Sequence, residues 1–352
     1  MTTATLIVTI DTEEEGRWTG SYRAGGNTVE NIRYLPRFQA LCDEFAIQPT
    51  YLIDAPVVDD DSSAELLRGI QEDNRCEVGT HIHPWCNPPF EEEINRRTTY
   101  FCNLPVSLQR AKLTWLTERI ERRIGRRPTS FRAGRYGLDI AGARLLAELG
   151  YLVDSSVIPF TNYAPQDGPD FSQAPHTPYF INGADLCVPH AAGILLEAPV
   201  SIGYSRSDFE RMHAWREAAA RSWMGRLHAV GVLERLGLAR RIKFSPEQTN
   251  ARDLICLADN YLVRQAPALV LMFHSSSLMP GGSPYVPTSG DLDRFLDRLR
   301  EIFHHCLVAR GMVSATLSHF ALSIAPGNTQ EHVNEPSPSD AAAAGSAGSP
   351  HG

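Results

Sequence analysis

Apolar, β-branched runs alternate with stretches of helical periodicity along most of this chain. Runs at residues 5–10, 49–53, 76–81, 129–132, 151–155, 195–200, 268–274 and 312–317 predict strands. Between them, residues 107–124 place Leu113, Leu116, Ile120 and Ile124 on one helical face, with Glu121, Arg122 and Arg123 outside. Gly125 and Pro128 end that helix. Residues 139–149, stopped by Gly150, and residues 291–308 predict two more. Repeated strand-then-helix units imply a parallel sheet with crossover helices, either an open doubly wound sheet or a (β/α) barrel. Asp11, His81, Arg132, Asp154 and His274 fall at or just after the carboxyl ends of different strands. Several strands feeding one mouth favour the barrel.

Two regions break the pattern. Residues 204–248 are arginine-rich and helical in pattern, with Trp215, Trp223, Leu227, Leu233 and Leu236 as apolar positions; they predict an insertion or partner surface. Beyond about residue 323, Pro, Ser, Ala, Gly and Asn dominate, which predicts a disordered tail over 323–352 behind a single domain spanning 1–322.

Composition narrows the chemistry. The 352 residues carry 43% hydrophobic and 21% charged side chains, as in a soluble globular protein. A formal charge of −8 argues against nucleic acid as the main partner. The only lysines are Lys112, in a stretch that reads as a surface helix, and Lys243, in a basic connector, so Schiff-base chemistry is not expected. Seven scattered cysteines without a CxxC predict neither a disulfide framework nor a cysteine zinc site, and point to a reducing compartment. Acidic residues from Asp11 to Glu15 interrupt the opening apolar run. No secretory signal or transmembrane span is expected, and the protein reads as cytoplasmic.

Two short patterns carry chemistry. His81 and His83 stand two apart at the end of a strand, and Asp11 and Glu13 share that spacing at the end of another. Side chains at i and i+2 of a strand point to one face, so each pair can converge. Imidazoles and carboxylates at strand ends are the raw material of a metal-dependent hydrolase. Glu14 and Glu15 read as solvated neighbours, either of which replaces Glu13 if the strand ends early. Trp85 reads either as core or as a stacking wall for a sugar ring.

Taken in order, these motifs resemble the NodB-homology polysaccharide deacetylases (carbohydrate esterase family 4), most closely the WalW-like lipopolysaccharide-biosynthesis branch. The resemblance covers roughly residues 5–320. It rests on Thr9-Ile-Asp-Thr-Glu13, Glu77-Val-Gly-Thr-His81, Phe131-Arg-Ala-Gly-Arg-Tyr-Gly137, Val153-Asp-Ser-Ser156 and Leu269-Val-Leu-Met-Phe-His274. It implies a distorted (β/α) barrel of about seven strands, and a divalent metal, most simply zinc. The implied activity is removal of acetyl from an N-acetylated saccharide or other small acylated amine. Asp11 aligns with the base, Arg132 with the arginine that orients it, His274 with the acid and Asp154 with the group supporting that acid. The family's second metal histidine comes four residues after the first, where this chain has Trp85. His83 is the substitute, giving a metal set of Glu13, His81 and His83. Arg135, Tyr136 and Ser275 are expected to contact substrate; His190 and His319 are minor alternatives for metal or acid roles. Two other readings stay open: hydrolysis of a cyclic amide or ureide, and a degenerate carbohydrate-binding homologue.

Overall fold

The computed structural model describes residues 3–16, 18, 20, 22–191, 193–221 and 240–325. The predicted tail from 326 onward and residues 222–239 of the predicted insertion lie outside the described residues. The strands are β1 (Thr5–Thr12), β2 (Thr50–Ile53), β3 (Glu77–Ile82), β4 (Ser130–Ala133), β5 (Val153–Asp154), β6 (Tyr179–Ile181), β7 (Pro189–His190), β8 (Leu195–Glu197), β9 (Ile202–Tyr204), β10 (Arg241–Lys243), β11 (Ala268–His274) and β12 (Val313–Ser314). Parallel pairing runs in the order β11, β1, β2, β3, β4, β5, β8; β6 and β7 continue antiparallel, and β12 pairs with β1.

Every residue of β1 and of β11 is buried, as strands covered on both faces require. Leu6, Val8 and Ile10 face the large core shared with the helices, whereas Ile7 joins a smaller cluster with Leu52, Val153, Leu196 and Val270. That cluster draws on β8 and β11 together, although they lie far apart in the strand order. The sheet therefore curls round on itself, its inner face closed at one end by Leu317 and Phe320 of the helix Leu317–Ser323. Backbone bonds from Ser201 to Val270 and from Met272 to Phe244 link the β8 side to β11. The expected barrel-like α/β architecture is thus present as a mostly parallel, curled sheet.

The described parts of residues 204–248, expected to be helical, differ from one another. Phe209–Arg221 is helical, but β10 pairs antiparallel with β9, so the stretch after residue 240 returns as sheet. Lys112 is not on a surface. It is fully buried and its Nζ donates to the carbonyls of Pro84 (2.9 Å), Asn87 (2.6 Å) and Pro89 (2.7 Å) while pairing with Glu92 at 2.9 Å. Helix Val106–Ile124 thereby pins the loop that follows β3.

Candidate metal centre and active site

Period-two alternation sends Ile7, Thr9 and Asp11 to one side of β1, and the inner face turns polar toward its carboxyl end. Arg132 reaches across it, completely buried. Its guanidinium donates to the Asp11 carboxylate (2.6 Å), to Thr9 Oγ (3.0 Å), and to the Ser155 carbonyl and hydroxyl (both 2.8 Å). Burial pushes the Asp11 carboxyl up, but Arg132, then His81 and His274, outweigh it and hold Asp11 at about 2. Asp11 is therefore ionised and fixed in direction. The His274 Nε2 lies 3.8 Å from its other oxygen.

Glu13, His81 and His83 converge next door. His81 Nε2 and His83 Nε2 are 3.1 Å apart, and Glu13 Oε2 lies 3.2 Å and 3.3 Å from them. The opposite ring nitrogens are already committed. His81 Nδ1 is 3.0 Å from the Arg132 carbonyl and His83 Nδ1 is 2.7 Å from Glu14 Oε2, both acceptors. Each Nδ1 must therefore carry its hydrogen, which leaves each neutral ring with an Nε2 lone pair. Two imidazole nitrogens, each offering a lone pair once its ring is neutral, and a carboxylate oxygen then face one point, an arrangement suited to a cation. Metal–ligand bonds of ~2.0–2.2 Å in a tetrahedral site set ligands about 3.3 Å apart, close to the observed triangle. The residues fit a divalent ion. Without one, burial disfavours a charged His83 while Glu14 and Glu13 raise its pKa to about 10. At Gly134 the fold leaves room for this ring: a Cβ there would sit 2.1 Å from His83 Cδ2.

Glu14 is not solvated, as the sequence reading expects, but buried. Its Oε1 accepts from Trp85 Nε1 at 2.7 Å and its backbone N–H donates to Asp54 at 2.8 Å. Burial pushes Glu14 up, yet His83 and Asp54 lower it to about 2, while burial and Glu14 keep Asp54 well above the usual carboxylate range. Glu14, Asp54, His83 and Cys86 form a second cluster with metal-ligand atoms in reach. With His83 Nδ1 turned to Glu14, it serves to aim His83 at the first.

Trp85 is no sugar wall. It is buried, stacked on His83 at 4.2 Å, and spends its N–H on Glu14. Ser275 is equally enclosed, and its hydroxyl accepts from the Glu13 N–H (3.1 Å) and the Asn31 amide (2.8 Å). It holds the end of β1 to the end of β11. Arg135 braces its own loop, donating to the Tyr100 hydroxyl at 2.9 Å and lying 3.9 Å over the Tyr100 ring. Tyr136 does line a cleft of about 420 Å³ that opens beside His274.

Asp154 does not support His274. The β5–β8 register sets it beside Glu197, and burial raises the pKa of both carboxyls, so the two share a proton. The support comes from Glu247, a residue the sequence reading missed. Both its oxygens lie 3.0 Å from His274 Nδ1, and it also accepts from the His274 N–H and, at 2.6 Å, from Ser277 Oγ. Burial works against the Glu247 charge, but His274 and Ser277 lower its pKa. His190 is exposed on β7, and His319 lies in the helix that closes the far end of the sheet. Neither joins the site.

No protein-family model matches this chain, and no curated protein does. Among solved structures, it is similar to a Mycobacterium smegmatis protein assigned as a polysaccharide deacetylase, at 18% identity and TM-score 0.54 over 92% of this chain and 90% of that one. It is also similar to Puue allantoinase, at 14% identity and TM-score 0.51 over 91% and 90%. A third likeness is to 4-alpha-glucanotransferase from Thermococcus litoralis, at 12% identity and TM-score 0.53 over 92% of this chain but 41% of that one. These likenesses establish the class of fold, a curled α/β sheet shared by proteins of different named activities. The particular activity has to be argued from the site.

Proposed function

We propose that this chain is a metal-dependent amidohydrolase of the NodB type that removes acetyl from an N-acetylated saccharide or small sugar-linked precursor. A cytoplasmic role near lipopolysaccharide biosynthesis belongs to the same reading. The observation that carries it is the Glu13–His81–His83 triangle, its three ligand atoms turned to one point, set against an ionised Asp11 and a carboxylate-backed His274. Among the described residues no helix is long and apolar enough to cross a membrane.

An amide is a poor electrophile and water a poor nucleophile at neutral pH. Glu13, His81 and His83 would hold a divalent ion, which when bound would supply polarisation of the carbonyl and a more acidic water. Asp11, being ionised, can accept the water proton as the bond to carbon forms. A base held at about 2 drives that transfer weakly, so its fixed position matters more than its basicity. Arg132 keeps the accepting oxygen aimed. His274, with Nδ1 tied to Glu247, presents Nε2 to the same space and can deliver a proton to the leaving nitrogen.

Metal analysis of the purified chain, with acetate release from N-acetylated sugars, tests the reading. One divalent ion per chain is expected, with turnover lost to chelation and restored by reloading. Full activity in metal-free protein would refute it. Ring opening of cyclic ureides without acetate release would keep the metal chemistry and move the substrate class.

A further inference from the structure

The cleft beside His274 is lined by cations. Arg241 and Lys243 both line it, two apart on β10, while Ile242 between them is buried on the other side. Arg216 faces them from helix Phe209–Arg221. The remaining walls include Trp18, Tyr136 and Tyr163, and no Asp or Glu is among the described residues lining the cleft. Arg241 donates to the Phe160 carbonyl (2.7 Å) and Thr161 hydroxyl (3.4 Å), neutral acceptors that leave its charge in place. The Lys243 ammonium donates to the Tyr136 hydroxyl at 2.8 Å, which fixes it against the same wall. In a chain of net charge −8, this concentration of positive charge is local. Low-dielectric walls around like charges focus their field on whatever enters.

We propose that this cleft selects an anionic substrate: a small acylated amine that carries a phosphate or carboxylate group, with the anion on Arg216, Arg241 and Lys243 and the scissile amide at His274. This deepens the hydrolase reading and rests on it for the position of the amide. Bonds to Phe160, Thr161 and Tyr136 set Arg241 and Lys243 in the wall, and with Arg216 they line one cavity of about 420 Å³, a size suited to a single sugar-like ring and a charged group.

The test uses the full metal-loaded chain and three probes: N-acetylglucosamine, N-acetylglucosamine 1-phosphate as the phosphate arm, and N-acetylmuramic acid as the carboxylate arm. Binding is followed by tryptophan fluorescence, since Trp18 lines the cleft, and acetate release is measured separately. At low salt at least one charged probe is expected to bind about tenfold or more tighter than the neutral one, roughly the contribution of one charge-assisted contact. Half-molar salt, Arg241→Gln and Lys243→Gln should each pull that ratio toward one, with melting temperatures showing both variants folded. Equal binding of all three probes, or a ratio that survives both substitutions, overturns the proposal. Charge-dependent binding without acetate release would sink the deacetylase reading and leave the anion site standing. Acetate release indifferent to charge would do the reverse.

Discussion

Replacing Asp11 with Asn keeps the shape of the side chain and removes its charge, and the structure sets two separate magnitudes for the result. The first is structural. Arg132 is completely buried and its strongest partner is Asp11, so Asp11→Asn strands a guanidinium whose other acceptors among the described residues are neutral. Breaking a buried pair from one side typically costs about 3–5 kcal/mol at neutral pH. The second comes from linkage. The Asp11 carboxyl lies at about 2 when folded against 3.8 ordinarily, a depressed group. Its ionisation therefore contributes stability above the unfolded value, about 2 kcal/mol near pH 7, which is lost as pH falls toward the folded value. Between pH 6 and pH 3 the wild-type advantage over Asp11→Asn should shrink by about 1 kcal/mol. Urea unfolding at pH 6, 5, 4 and 3 reads the gap directly. Acetate release should fall at least ~100-fold at every pH, because the proton acceptor is gone. A gap that stays constant across this range would show that Asp11 is not held ionised by Arg132, and the assignment of the base would go with it.

Other perturbations probe the surrounding supports. Glu14→Gln removes the charge and leaves one acceptor for two donors, His83 Nδ1 and Trp85 Nε1, so metal affinity measured against a competing chelator should weaken about 10–100-fold; unchanged affinity would mean Glu14 is only packing. Glu247→Gln should lower kcat about tenfold or more with little change in KM, since it touches His274 rather than the substrate; an equal loss through KM would count against it. Lys112→Met leaves the carbonyls of Pro84, Asn87 and Pro89 without their donor, and should cost about 3 kcal/mol in urea unfolding. A neutral result there would mean water replaces the ammonium.

Long, uniformly apolar strands were legible in the sequence because burial on both faces writes itself as an unbroken run, as in residues 268–274. The ribbons at β9 and β10 were not, since three residues apiece carry no periodicity. The i, i+2 spacing of His81 and His83 foretold their convergence, for strand geometry alone fixes it. What spacing cannot show is the partner of each residue. Asp154 and Glu247 were both acids near a strand end, and only the β5–β8 register turns one toward Glu197 and leaves His274 to the other. Glu14 looked solvated because three consecutive glutamates suggest water. Lys112 looked exposed because its polar head marked it so, while the carbonyls that hold that head lie 23 to 28 positions back along the chain.

The tie made by Ser275 has a further bearing. Through the Glu13 N–H and the Asn31 amide it fixes the backbone of Glu13 to a strand end, while the two histidines belong to β3 and the residue next to it. All three donors are thus carried by sheet that is already assembled, with little left to organise when an ion arrives. Loading becomes a reversible exchange at a finished socket, so the empty and filled proteins should give superimposable backbones and similar resistance to proteolysis.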